Sequence, residues 1–248
     1  MNITLTSDFG EASPYVPIWK GALLQHCPAA RLVDLSHDVA AGEIFDAALL
    51  LRRVYFYYPA GTLHMVGLDP GQGPDRLLLA SAGGQLLLAL DNGVLGMVLE
   101  REPAAEVWAV QLCPRTTFVA RDVMAPLAGR LAQGVQPKRL GVAVSDWRRL
   151  GLPRPQAVAG NSRGEVLAVD RFGNLISNFT QADLRASRDL AVSVAGVAIR
   201  AGGANYAAAP PGELAWFWGA EGWLEICAVG ASAAARLGAV RGTPVEVA

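Results

Sequence analysis

The segment GLDPGQGPDR, residues 67–76, places a carboxylate and a guanidinium on one short loop. Asp69 lies near its start and Arg76 at its end, and the glycines and prolines between them favour a tight turn. A carboxylate accepts a hydrogen bond from water, and a guanidinium stabilises negative charge on the water oxygen. The loop lacks the Gly-Lys-Ser/Thr ending of a phosphate-binding P-loop. The pair therefore predicts a site that binds and polarises water, with a plain strand-terminating turn as the alternative.

A second segment with chemical potential is VDRFGNLISNF, residues 169–179. Gly173 interrupts a predicted strand between an aromatic residue and an amide. Phe172 can stack on a planar ring, while Asp170 and Asn174 can form hydrogen bonds to polar groups of the same ligand. The segment predicts one edge of a binding site, and a structural β-bulge is the alternative.

Acidic residues also follow the predicted strands of the first half of the chain. Asp8 comes after the first strand, Asp34 stands at the end of the second, and Asp69 follows the third. In an open parallel sheet, ligands bind at the carboxyl ends of the strands. The three acids predict an acidic rim suited to hydroxyl groups or a positive charge, although each alone is typical of a cap or a turn. His37 could lie near this rim as a base.

Strands and helices alternate from residue 1 to about 150, which predicts an α/β domain with a parallel sheet and helices on its faces. A hairpin is expected at Gly83-Gly84 within RLLLASAGGQLLLALDN. The other predicted strands are NITLTSDF, ARLVDLS and GTLHMVGLD. The predicted helices are VPIWKGALLQHC, AGEIFDAALLLRRVYFYY and RDVMAPLAGRLAQG.

The pattern changes after residue 150. Residues 151–163 are rich in proline, glycine and arginine and are interpreted as a linker. Residues 164–248 contain short apolar runs separated by glycine and proline, which predicts a small antiparallel sheet or barrel.

Composition narrows the class of protein. Hydrophobic residues make up 52% and charged residues 17% of the 248 residues, enough for a sizeable core. The net charge of −1, with scattered lysines and arginines, gives no reason to expect nucleic acid. We expect no membrane span and no signal peptide. The odd number of cysteines, three, favours a reducing cytoplasm, and the three histidines lack metal-ligand spacing, so no metal is expected.

Six segments occur in a characteristic order: LTSDFG, GTLHMVGLDPGQGPDR, LALDNGVLG, FVARDVMAPLAGRL, VDRFGNLISN and GELAWFWGAEGWLEICAVGASAA. Through them the chain resembles, over nearly its whole length, the S-adenosylmethionine hydroxide adenosyltransferases. This family, also called S-adenosylmethionine hydrolases (adenosine-forming), is related to fluorinase and chlorinase. The resemblance implies a Rossmann-like α/β domain at 1–150 and a β-barrel domain at 164–248. It also implies a homotrimer with each site between the first domain of one subunit and the second domain of a neighbour.

The implied reaction is attack of water or hydroxide at the ribose C5′ of S-adenosylmethionine, with S-adenosylmethionine as substrate and no cofactor. By the same resemblance, Asp8 would bind the ribose hydroxyls, and Phe118 and Phe172 would pack around the nucleoside. Asp170 and Asn174 would bind the amino group of the methionine part and polar edges of the ligand.

Asp69 and Arg76 would belong to the water-activating group. The hydroxide-forming members carry a Phe-His-Gly-Arg-Asp motif, and here the histidine is replaced by Val119. A serine that the family often has before its Leu-Glu-Ile strand is also absent, because that turn contains Ala220 and Glu221. Three functions remain open: a hydrolase without the histidine, a halide adenosyltransferase, and a nucleoside-binding or S-adenosylmethionine-binding protein with little turnover.

Overall fold

Residues Met1–Gly151 and Leu152–Ala248 fold as two units in the computed structural model of this chain. The structure describes residues 1–68, 75–112, 116–158, 161–184, 190–199, 201–202 and 210–248. Within these ranges, no helix combines the length and the apolar character needed to cross a membrane.

The first unit is built on one mixed sheet. Its strands are β1 (Asn2–Ser7), β2 (Arg31–Ser36), β3 (Leu63–Gly67), β4 (Arg76–Ala82), β5 (Gln85–Leu90), β6 (Glu106–Gln111) and β7 (Val142–Ala143). They lie in the order β2-β1-β3-β5-β4-β6-β7. The first four in this order are parallel, and the pairs from β5 to β7 are antiparallel. The predicted parallel sheet is therefore correct for one half only, because the hairpin at Gly83-Gly84 reverses the chain direction.

Helices flank this sheet. They are α1 (Tyr15–His26), α2 (Ile44–Val54), α3 (Gly96–Arg101) and α4 (Ala125–Ala132), with short 3₁₀ turns at Tyr55–Tyr57 and Pro137–Arg139 and a π-helical turn at Ala120–Met124. Helix α1 buries Val16, Trp19 and Leu23, the three- and four-residue spacing of one helix face. Trp19 and Leu23 join a core with Ile3 and Met65 of the sheet, so α1 is held against the strands that border the site.

The second unit is a mostly antiparallel sheet. Its strands are β8 (Gln156–Val158), β9 (Asn161–Val169), β10 (Leu175–Thr180), β11 (Val192–Val194), β12 (Val197–Ile199), β13 (Ala201–Gly202), β14 (Leu214–Trp218), β15 (Trp223–Ala228) and β16 (Pro244–Val247). The order is β12-β11-β16-β9-β10-β15-β14-β13, with β8 paired to β9. Because β12 also packs near β14, the sheet is nearly closed and barrel-like. A short helix, α5 (Ala233–Leu237), precedes β16.

The segment 151–163, interpreted as a linker, contributes to this second sheet. Residues 156–158 form β8, which pairs antiparallel with the start of β9. Proline and glycine dominated the sequence pattern there, and they obscured a short strand that needs a distant partner.

Candidate active site

The carboxyl ends of β1 and β3 border a cavity of about 290 Å³ in the first unit. The two strands are direct parallel neighbours, so the residues that follow Ser7 and Gly67 lie at the same edge of the sheet. The π-helical turn forms a further wall. The lining residues are Asp8, Phe9, Tyr15, Val66, Gly67, Leu68, Leu90, Thr117, Phe118, Val119, Ala120 and Met124.

Asp8 supplies a carboxylate to this lining. Its Oδ2 accepts a hydrogen bond from the backbone N–H of Gly42 at 2.9 Å, which orients the carboxylate group. An ionised carboxylate only accepts hydrogen bonds, so it suits hydroxyl or ammonium groups of a ligand. Asp8 and Phe118, two of the residues predicted to bind the substrate, thus line one cavity.

Aromatic side chains form one side of the cavity. The ring centroid of Phe118 lies 5.6 Å from that of Phe9 and 5.3 Å from that of Tyr15, and both pairs meet edge to face. Such rings provide a flat apolar surface for a nucleoside. Tyr15 was not predicted as a site residue, because one tyrosine just before the predicted helix VPIWKGALLQHC carries no chemical signal by itself.

Val119 occupies the position of the motif histidine. Its side chain is almost fully buried and belongs to the cavity wall, close in sequence to Ala120 and Met124 of the π-helical turn. An aliphatic side chain accepts no proton, so this wall excludes water rather than binding it.

Arg76 begins β4 and is bound by acidic partners. Its Nε and Nη2 donate to the Oδ2 of Asp91 at 2.8 and 2.7 Å. Its Nη1 donates to the Oδ1 of Asp146 at 3.3 Å, and Nη2 donates to the Asp146 backbone carbonyl at 3.1 Å. The hydrogen bond that Arg76 donates to Asp91 raises the pKa of Arg76, so the guanidinium stays charged. Asp91 was not predicted as a site residue, although it lies in the quoted segment LALDNGVLG.

The other member of the predicted water-binding pair, Asp69, lies outside the described residues. Arg76 is not among the described residues that line the 290 Å³ cavity. Their shared role in water activation stays a prediction.

His37 does not present a free nitrogen to the cavity. Its side chain is fully buried. Nδ1 lies 2.7 Å from Ser7 Oγ, and Nε2 lies 3.1 Å from Asp34 Oδ1. Both ring nitrogens therefore have protein partners, and His37 cannot take the place of the missing histidine as a base.

In the second unit, Asp170 organises the loop between β9 and β10. Its Oδ1 accepts hydrogen bonds from the backbone N–H groups of Phe172 and Asn174, each at 2.8 Å. Its Oδ2 accepts from Asn174 Nδ2, also at 2.8 Å. Gly173 adopts a φ of +82°, and a Cβ there would lie 2.9 Å from the Cα of Ser232, so only glycine fits. Specific hydrogen bonds and close packing therefore hold this loop, which is more than a β-bulge within one strand.

This loop borders a second cavity of about 540 Å³. Phe172 is 79% exposed and contributes an aromatic face, and Asn174 contributes an amide. The remaining lining is the segment Cys227–Ala231, which sequence reasoning quoted but did not assign. Phe172 and Asn174 thus line one cavity, and Asp170 holds the loop that carries them through its hydrogen bonds. Their role in binding a ligand stays a prediction.

The two described cysteines lie in the protein core. Cys27 and Cys227 are buried free thiols, and burial raises the pKa of both. Neutral buried thiols are poor nucleophiles. Among the described residues, no group of three or more His, Cys, Asp or Glu side chains is arranged to bind a metal ion.

Both units match models of one protein family. Residues 3–141 match the N-terminal domain of the SAM hydroxide adenosyltransferases, and residues 164–246 match the C-terminal domain. The chain belongs to this family, as the order of its motifs predicted.

Individual relatives agree with this membership. The chain is 32% identical to an (R)-S-adenosyl-L-methionine hydrolase of Thermus thermophilus, with 97% of both chains covered. It is 33% identical to an enzyme of the same name from Salinispora arenicola, over 99% of this chain and 97% of that one. A fluorinase of an Actinoplanes species is 26% identical over 73% of this chain and 72% of its own.

Solved structures share the fold. A conserved protein from Thermotoga maritima superimposes with a TM-score of 0.88 at 27% identity and covers 99% of both chains. A conserved protein from Thermus thermophilus gives a TM-score of 0.80 at 31% identity, over 100% of this chain and 99% of that one.

Proposed function

We propose that this protein hydrolyses S-adenosylmethionine to adenosine and methionine. The observation that carries the proposal is the similarity, along almost the entire chain, to enzymes named (R)-S-adenosyl-L-methionine hydrolases. The (R) sulfonium epimer, which those names specify, is accordingly the substrate form we propose for this chain.

The reaction is a displacement at the ribose C5′. The oxygen of water or hydroxide forms a bond to C5′ while the C5′–S bond breaks, and its electron pair goes to sulfur. Neutral methionine leaves, and when water is the nucleophile one proton is released to solvent. Because the sulfonium is an excellent leaving group, the enzyme mainly has to align the nucleophile and remove its surrounding water.

The first cavity supports the nucleoside part of this proposal. Asp8 would bind the ribose hydroxyls, and Phe118 would pack against the nucleoside. Asp69 and Arg76 would bind and polarise the attacking water. The guanidinium has five N–H groups. Its hydrogen bonds to described residues use Nε, one N–H on Nη1 and two on Nη2, so one N–H on Nη1 has no partner in the described part of the chain and would bind the water.

The second cavity supports a further part of the proposal. Phe172 would stack on the ligand, and Asn174 would bind a polar edge of it. Asp170 would act on the ligand chiefly through the loop that it orders.

The proposal also includes a Rossmann-like fold for the first unit, an oligomeric state and a cellular location. The parallel half of the first sheet, with its crossover helices, is the feature that favours a Rossmann-like domain. We also infer a homotrimer on the basis of the family resemblance, and a location in the cytoplasm on the basis of the odd number of cysteines. Sedimentation equilibrium tests the trimer, and a monomer at working concentration would contradict it.

The function is tested by incubating the purified protein with each sulfonium epimer separately and following adenosine, methionine and halogenated adenosine by chromatography as halide is varied. We expect equal amounts of adenosine and methionine and no halogenated product. Asp69→Ala should abolish most turnover, while Glu246→Ala, which removes an exposed carboxylate of β16, should not. Halogenated adenosine as the main product would replace hydrolysis by halide transfer, and no product would overturn the proposal.

A further inference from the structure

A continuous chain of hydrogen bonds connects the surface of the first unit to the strand end that carries Asp8. Lys20 Nζ donates to Asp34 Oδ2 at 2.5 Å. Asp34 Oδ1 lies 3.1 Å from His37 Nε2, and His37 Nδ1 lies 2.7 Å from Ser7 Oγ. Ser7 is the last residue of β1, and Asp8 follows it directly.

The partners fix the direction of each hydrogen bond. Partial burial opposes ionisation of Asp34, but hydrogen bonds from Lys20 and His37 outweigh it and lower the pKa of the carboxyl. Because a carboxylate only accepts, His37 must donate from Nε2, and in the neutral imidazole Nδ1 then accepts from the hydroxyl of Ser7. The Ser7 oxygen in turn accepts from the backbone N–H of Phe9 at 3.4 Å. With a neutral His37 ring, each hydrogen bond of the chain therefore has one direction.

Residues 37–42 hold the loop after β1, which contains Asp8, through two further hydrogen bonds. The backbone N–H of Gly10 donates to the carbonyl of His37 at 2.8 Å. The backbone N–H of Gly42 donates to Asp8 Oδ2 at 2.9 Å. His37 therefore contacts the residue before Asp8 through its ring and the second residue after it through its backbone.

The residue types resemble those of a serine hydrolase, but the geometry does not support nucleophilic attack. Ser7 and His37 have no solvent-accessible side-chain surface, and neither lines the cavity. The chain of hydrogen bonds can act on a ligand through the neighbouring residues that do line the cavity, Asp8 and Phe9, and of these two Asp8 carries the carboxylate that can bind hydroxyl groups.

We propose that His37 is a positioning residue, which together with Lys20, Asp34 and Ser7 orients the Asp8 carboxylate toward the vicinal hydroxyls of a ribose. This inference rests on the proposed function, since it takes the ligand to be an adenosine derivative. In this role the buried imidazole of His37 affects ligand binding without contacting the ligand.

A matched control exists in the same strand. Thr4 Oγ1 lies 2.8 Å from Nδ1 of His64, and both side chains are fully buried. This is also a hydroxyl–imidazole pair between β1 and a neighbouring segment, but it lies away from the strand end. Loss of His64 should therefore reproduce the structural cost of losing a buried histidine without disturbing Asp8.

The experiment measures, by calorimetry on the full-length protein, the binding of adenosine and of 2′,3′-dideoxyadenosine, which lacks the vicinal 2′ and 3′ hydroxyl groups and keeps the 5′ hydroxyl group. We expect His37→Ala to weaken adenosine binding about tenfold or more, because a hydrogen bond to a charged group is misaligned. Binding of the dideoxy compound should change less than about twofold by the same argument. His64→Ala should leave the preference for adenosine as it is in the unmodified protein.

Milder variants keep the test decisive if His37→Ala does not fold. Asp34→Asn changes a partly exposed residue and should lower the preference for adenosine in the same direction. His37→Asn retains an acceptor for Ser7 and should restore part of the preference. In kinetic assays, the same variants should raise KM more than they lower kcat, because the ribose hydroxyls are remote from the breaking bond.

Distinct results separate failure of this inference from failure of the proposed function. If the unmodified protein prefers adenosine and the His37 and Asp34 variants keep that preference, the positioning role is overturned. If the unmodified protein releases no adenosine from S-adenosylmethionine, the proposed function fails. If it binds both nucleosides equally, the ribose role of Asp8 and the positioning role fail together.

Discussion

Asp91 binds the guanidinium of Arg76 through a single carboxylate oxygen, which accepts from Nε at 2.8 Å and from Nη2 at 2.7 Å. The other oxygen accepts from the backbone N–H of Arg148 at 2.8 Å. The side chain of Asp91 is 1% exposed, so this pair is shielded from water on the acidic side. Asp91 thereby holds in place Arg76, the residue that we assign to water activation.

Removing the Asp91 side chain should therefore lower the free energy of unfolding substantially. Asp91→Ala leaves the arginine charge without its main partner, and we expect a loss of about 3–5 kcal/mol in the free energy of unfolding. Urea denaturation measures this loss. The control is Asp146→Ala, whose side chain is 74% exposed and which should cost less than about 1 kcal/mol. Equal effects of the two substitutions would contradict the dominant role of Asp91.

Restoring a histidine at the motif position should accelerate hydrolysis. Val119 lines the first cavity, so Val119→His places an imidazole at its wall. General base catalysis typically contributes about 10²- to 10⁴-fold, and we expect kcat to rise at least about tenfold, with a pH dependence that the unmodified protein lacks. Val119→Asn is the control for polarity without basicity. If Val119→Asn gains as much as Val119→His, base catalysis is not the reason.

Stability should depend on pH through His64. Burial lowers the pKa of His64 from 6.5 to about 4, against a smaller opposing effect of the Tyr55 backbone. Between these values the unfolded chain binds a proton that the folded chain does not. The contribution of His64 to the free energy of unfolding is complete above a pH of 6.5. It is lost as the pH falls from 6.5 toward about 4, by at most about 1.4 kcal/mol per pH unit.

Urea unfolding at about pH 7.5 and about pH 5 measures this effect. The unmodified protein should lose more stability on acidification than His64→Gln, which cannot titrate at this position. Identical losses in the two proteins would show that His64 is protonated in the folded state.

Phe172 should contribute to binding and not to folding. Because it is 79% exposed, Phe172→Ala should change the free energy of unfolding by less than about 0.5 kcal/mol. Stacking on a nucleobase typically contributes about 1–3 kcal/mol, so adenosine should bind about tenfold more weakly. Val240→Ala, another exposed apolar residue, should leave adenosine binding unaltered. Unchanged affinity in Phe172→Ala would remove this residue from the site.

Local patterns were sufficient to predict many elements. Glycine at 83 and 84 predicted the hairpin of β4 and β5, and the predicted helix AGEIFDAALLLRRVYFYY contains α2 and its 3₁₀ extension. The family motifs identified Asp8 and Phe118, which the structure places at one cavity. These features depend on turn chemistry, periodicity or motif order, which a sequence displays directly.

Long-range register was not predictable in the same way. The ion pair of Asp91 with Arg76 forms across the predicted hairpin of β4 and β5, but His37 reaches Ser7 because β1 and β2 lie side by side. No spacing along the chain encodes the contact between His37 and Ser7. For the same reason, β8 was hidden within a proline-rich segment until its pairing with β9 was known.

Hydrolysis in water enriched in ¹⁸O tests the central claim most directly. The protein is incubated with S-adenosylmethionine in this solvent, and the adenosine is examined by mass spectrometry with fragmentation that isolates the 5′ carbon. We predict one ¹⁸O atom in the 5′-hydroxyl group of nearly every adenosine released. Adenosine without the label, or no adenosine at all, would contradict attack of water at C5′.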